Sequence, residues 1–247
     1  MSYTLRYWLV VIAFIVAQVL SLTLSIVFGL FSNMSLETAM SMAVVIPFFL
    51  GAVTMMLLIR NAHPLMRPEK PRSNIGPTIG WIFAGVALAL IGQNLGFAIQ
   101  SGLYGAPRES ENTMMLLEVM SSVPIMLLAV VIFGPIMEEI LFRQVIFGKL
   151  YKHMNFFFAA GLSSLAFSIV HMEIANIFVY AGAGFAFAFV YVMSNRIIVP
   201  IIAHCLMNAV ASLPILLEYL GYDVLEMMEN VEQMTQFITP LIGVFFS

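Results

Sequence analysis

Charge is what this sequence lacks most. Asp, Glu, Lys and Arg make up only 9% of its 247 residues, against about a quarter in soluble domains. With 62% apolar residues and a mean hydropathy of +1.01, the chain cannot assemble a surface that faces water, which excludes an ordinary soluble fold. A single cysteine, Cys205, excludes an internal disulfide and any multi-cysteine metal cluster. The balance of 10 basic against 13 acidic residues offers no positive surface for nucleic acid. Internal repeats and low-complexity tracts are also missing, which speaks against the paired-repeat plan of many transporters.

Long apolar runs fill the space that charge leaves. A spanning helix needs roughly 20 mostly apolar residues, and hydropathy marks such runs at 7–31, 38–59, 79–99, 119–150, 156–171, 175–193 and 197–217. The first is too long for a secretory signal core and no small-residue cleavage pattern follows it, so it reads as a retained span. A short apolar tail at 236–246 adds a segment that dips into the membrane or crosses it. The expectation is an all-α, polytopic bundle of seven to eight transmembrane helices around a polar intramembrane cavity. It forms one domain over 1–247, and its partner is the lipid bilayer.

Orientation follows from the basic residues. With seven spans and the N-terminus in the cytoplasm, Arg6, Arg60, Arg67, Lys70, Arg72, Arg143, Lys149, Lys152 and Arg196 fall inside, and Arg108 alone falls outside. The acidic segment with Glu218, Asp223, Glu226, Glu229 and Glu232 lies on the outer side.

Ionisable groups within spans are costly and therefore mark function. They gather in three runs. In Pro135–Arg143, Glu139 and Arg143 stand four residues apart with the acid first, the favoured orientation of a helical ion pair. Glu138 lies about 100° around the helix from Glu139 and is free to point elsewhere. Gly134 and Pro135, just before it, mark a point where the helix bends or its backbone opens. The second run places Phe167 and His171 on one helical face, and the third does the same for His204 and Asn208. Taken alone, the first run also reads as a polar helix end with Arg143 snorkelling, and a single histidine as a packing residue. Together, a carboxyl, two imidazoles and a carboxamide supply the base, the orienter and the oxyanion donors that hydrolysis of an unactivated carbonyl requires. Depth is a difficulty. Glu138 and His171 flank the turn near Met154 by about sixteen residues each, roughly 25 Å of helix, whereas His204 lies roughly 12 Å from the next turn. The three meet only if the helices flanking Met154 project beyond the bilayer.

In order, these runs match the pattern EExxxR, FxxxH, HxxxN, and so the chain resembles the CPBP family of intramembrane proteases, the CAAX-protease and bacteriocin-processing (Abi) group. The match covers the family core at about 119–217, and no motif residue departs from the pattern. The resemblance implies a catalytic set of Glu138, Glu139, His171, His204 and Asn208. In it Glu138 with His171 activates water, His204 with Asn208 holds the oxyanion, and Arg143 and Phe167 orient the site. It leaves the cofactor open between none and a divalent metal such as zinc, for which Glu138, His171 and His204 could supply an open three-ligand site. HExxH is absent. The implied substrate is a membrane-bound peptide or protein, a bacterial signal or bacteriocin-type peptide or a prenylated CAAX protein, and the implied location is the bacterial cell membrane. A non-catalytic scaffold or immunity factor of the same fold is the alternative. A proton-coupled transporter is another. Cys205, one thiol in an apolar helix, reads as packing.

Overall fold

A computed structural model describes residues 3–60, 72–105, 119–170 and 176–223. The predicted tail at 236–246, the basic loop after Arg60, most of the acidic segment and His171 lie outside the described residues. Among the described residues there are helices and no strands.

Helices α1 (Tyr3–Phe31) and α2 (Leu36–Ile59) form a hairpin. Ser35 caps α2 by accepting from the Thr38 backbone N–H at 3.3 Å, which satisfies one of the first-turn donors. Helix α3 is Ile75–Tyr104. After a short helical piece at 119–122, the chain winds continuously from 126 to 151, here called α4. Its winding changes along its length: α-helical at Met126–Leu128, π-helical at Ala129–Phe133, α-helical at Gly134–Glu138, π-helical at Glu139–Phe147 and α-helical at Gly148–Tyr151. Helices α5 (Phe156–Val170), α6 (Ile177–Ser194) and α7 (Ile198–Tyr219) follow.

Five of these, α1, α2, α3, α6 and α7, are long and apolar enough to cross a membrane, and α5 is a shorter apolar helix. The remaining expected span is α4, whose charged second half breaks the apolar pattern. Large apolar side chains point outward, Phe31 at 82% exposure and Phe157 at 73%. Such a surface is suited to lipid and not to water. The chain is thus a polytopic, all-helical membrane bundle.

Without a hydrophobic drive between helices in lipid, close backbone approach holds such a bundle together. Helix α3 runs antiparallel to α6, and its Gly92 and Gly96 lie against the backbones of Gly182 and Phe178. A methyl group on Gly182 would collide with the Gly92 carbonyl. Gly184 of α6 leaves room for the Ser164 side chain of α5. The α6–α7 turn is closed by Asn195 in the left-handed region (φ 50°). Ser73, just before α3, ties this turn down: its backbone N–H and hydroxyl both donate to the Ser194 carbonyl at 3.0 Å, and Arg196 Nε donates to the Ser73 carbonyl at 2.7 Å.

Helix α4 is enclosed by the others. Met137, Ile140 and Phe142 pack with Val10 and Phe14 of α1, Ala52 and Met55 of α2, Phe167 of α5 and Ile201 of α7. Two carbonyls of its π-wound stretches accept side-chain hydrogen bonds from neighbours: Val130 from Asn208 Nδ2 at 2.9 Å, and Phe142 from the Ser163 hydroxyl at 2.7 Å. A changed hydrogen-bond register turns carbonyls sideways, and polar side chains from adjacent helices receive them.

Candidate active site

The EExxxR run lies on α4 across the junction between the Gly134–Glu138 segment and the second π stretch. Pro135 has no N–H to give the preceding turn, and Gly134 carries no side chain. Glu138 Oε1 comes within 3.6 Å of where a Cβ on Gly134 would stand, so the carboxyl folds back over the space the glycine leaves.

Glu139 has no exposed surface and Arg143 is 2% exposed. Arg143 Nη1 lies 3.0 Å from Glu139 Oε1, an ion pair by distance although not an aligned hydrogen bond. The same oxygen meets Nδ1 of His204 at 2.8 Å. Glu139 Oε2 has no hydrogen-bond partner among the described residues. On its far side the His204 ring presents Nε2 to Glu138 Oε2 at 3.8 Å. One buried imidazole from α7 is therefore held between the two adjacent carboxyls of α4.

Aromatic rings enclose this cluster. The guanidinium carbon of Arg143 lies 5.3 Å from the ring centres of both Phe167 (α5) and Phe187 (α6). Each such face attracts a cation by about 0.5 to 2 kcal/mol when desolvated. Phe187 also stacks on His204, with centroids 5.0 Å apart and planes 23° apart. Phe167 reaches the same imidazole at 6.5 Å, and packs on Phe142 at 5.1 Å and Tyr180 at 5.8 Å.

The structure brings together Glu138, Glu139, Arg143, Phe167 and His204. Asn208, one turn beyond His204, is half-buried and gives Nδ2 to the Val130 carbonyl, which leaves its second N–H and its carbonyl for other use. His171 lies outside the described residues, so its relation to Glu138 is not placed. The depth mismatch expected from helix counting does not arise between Glu138 and His204. Their facing oxygen and nitrogen lie 3.8 Å apart.

The motif reading did not find Phe187, Ser163 or the Val130 carbonyl. Phe187 sits in a stretch where aromatics alternate with small residues (AGAGFAFAFVY), a pattern that fits any tightly packed helix. Its role shows only once α4 and α7 are in place.

For a metal, the described residues supply two converging donors, His204 Nε2 and Glu138, short of the three a catalytic zinc site uses. No group of three or more His, Cys, Asp or Glu side chains is placed to hold a metal ion among them.

Residues 120–210 match the family described as "Type II CAAX prenyl endopeptidase Rce1-like". The chain is 37% identical over 210 residues to a Bacillus subtilis (strain 168) protein named as the membrane peptidase YdiL, covering 82% of this chain and 86% of that one. It is also 34% identical over 218 residues to the "Membrane-embedded CAAX protease MroQ" of Staphylococcus aureus (strain USA300), covering 82% and 87%. The chain belongs to the CPBP family of membrane proteases. No solved structure matches it. The CPBP match spans α4 to α7 and so includes every described member of the cluster.

Proposed function

We propose that this CPBP protease hydrolyses a peptide bond in a membrane-associated peptide or protein, using a water activated by Glu138 together with His171. The observation that carries the reading is the His204 imidazole held between Glu139 at 2.8 Å and Glu138 at 3.8 Å. Glu138 is partly open, at 16% side-chain exposure, whereas Glu139 is sealed. The two adjacent carboxyls thereby take different parts: Glu138 accepts the proton of the attacking water, and Glu139 holds His204 and Arg143 in place. An Nε2–H on His204 and the second N–H of Asn208 donate to the oxygen of the scissile carbonyl as it becomes negative. Glu138 then passes its proton to the leaving amine. Removing one donor of this kind costs on the order of 10² to 10³ in rate.

A membrane-bound signal or bacteriocin-type peptide is the preferred substrate, with a prenylated CAAX protein second. The chain sits in a bacterial cell membrane with the N-terminus inside. The test compares, by mass spectrometry, the membrane-associated peptides of cells carrying the wild-type chain, Glu138→Gln and His204→Ala. The expected result is a cleavage product present only with the wild type, while all three proteins insert equally. Equal processing by both variants would remove this mechanism in favour of a non-catalytic scaffold.

A further inference from the structure

We infer that Phe187, on α6, is a positioning residue of the hydrolytic site, fixing the plane of the His204 ring and stabilising the Arg143 cation beside it. The inference rests on the proposed role of His204 and goes beyond it, because Phe187 belongs to none of the three motif runs.

A single hydrogen bond does not orient an imidazole. The contact from Nδ1 to Glu139 Oε1 fixes one point of the His204 ring. The ring can still rock about its Cβ–Cγ bond within the tolerance of that hydrogen bond, because the torsion joining an aromatic ring to its Cβ is broad. Rocking would stretch the Glu139 contact and shift Nε2 relative to Glu138 Oε2. What blocks it is a flat wall: Phe187 lies against the imidazole at 5.0 Å with only 23° between planes, whereas Phe167 approaches from farther away and at 60°. The wall is itself immobile. Phe187 is 1% exposed, its neighbours Ala183, Ala186, Ala188 and Val190 are buried, and α6 is pinned through Gly182 to α3 and through Gly184 to α5.

The same ring has a second duty. Arg143 Cζ lies 5.3 Å from its centre, so the electron-rich face helps to keep a guanidinium in a site with almost no solvent. A residue that merely filled volume would serve neither purpose. Leucine has similar apolar character but no flat face and no quadrupole.

Two variants in the full chain, purified in detergent, separate positioning from packing. Phe187→Leu removes the wall. Phe187 replaced by 3,4,5-trifluorophenylalanine keeps the shape of the ring but withdraws charge from its face. The probe is the His204 imidazole in ¹⁵N-histidine NMR spectra, assigned by its loss in His204→Gln. The expected wild-type signal is that of one ring in a single orientation, with a proton on Nδ1 for Glu139 and a proton on Nε2 for the oxyanion. In Phe187→Leu it should give way to a mixture with the ring-current displacement gone. If the leucine variant fails to fold, the trifluoro variant decides, because both the stack on His204 and the hold on Arg143 depend on the charge of the ring face. It should also shift the ring-nitrogen signals and lower kcat by about threefold to thirtyfold with little change in KM. An unaltered His204 spectrum in the folded variant overturns the inference. Failure of the proposed function looks different: Glu138→Gln would then process substrate normally whatever the His204 spectrum does.

Discussion

Removing Arg143 leaves Glu139, which has no exposed surface, as a carboxylate with nothing but an imidazole to balance it. Breaking a buried pair from one side is far more damaging than replacing both partners. Arg143→Ala is therefore expected to lower stability by about 3 to 5 kcal/mol, read as a fall in the thermal unfolding midpoint in detergent. Arg143→Lys should recover only part of this loss, because an ammonium cannot lie flat between Phe167 and Phe187 as a guanidinium does. The double replacement Glu139→Gln with Arg143→Met should restore most of the stability without restoring proteolysis. A double variant no more stable than Arg143→Ala would show that the charge pair is not what the loss measures. At this scale the sequence was informative. The four-residue spacing of Glu139 and Arg143 is a pairing that helix geometry dictates, and the pair is present at 3.0 Å. The stacking of Phe187 was not legible, because nothing in a run of alternating aromatic and small residues says which ring will meet a histidine from another helix.

Among the elements, the α3–α6 crossing depends on residues that have no side chains. Gly→Ala in an exposed helix ordinarily gains about 1 kcal/mol through propensity. At Gly182 the new methyl would run into the Gly92 carbonyl, and two backbones would have to separate. Gly182→Ala is expected to cost about 1 to 3 kcal/mol, while Gly80→Ala, which meets nothing within 4 Å, should be neutral or slightly stabilising. Equal unfolding midpoints for the two would refute the account of the crossing. Five helices long enough to cross a membrane were readable from hydropathy, because lipid demands unbroken apolar length. The winding of α4 was not readable. Gly134 and Pro135 mark where the helix is weak, but the π turns on either side also depend on Asn208 and Ser163 reaching across to Val130 and Phe142. Such a dependence on partners distant in sequence cannot appear in local pattern.

For the whole molecule, the proposed orientation rests on the basic residues, of which Arg143 is buried in the bundle and exerts no pull at the membrane surface. Arg6, Arg60, Arg67, Lys70, Arg72, Lys149, Lys152 and Arg196 remain to hold one side inward. Reporter fusions should place residues 152–155 and 195–197 in the cytoplasm and residue 223 outside; the opposite pattern would invert the proposed topology. The assembly of the cluster has a further consequence. Its carboxyls come from α4, its flanking rings from α5 and α6, and its imidazole from α7, which is made last of these. While the ribosome is still producing α7, Glu138 and Glu139 have no His204 between them. On the proposed mechanism, a half-built chain is harmless to the membrane around it, and cutting power arrives only when α7 has docked.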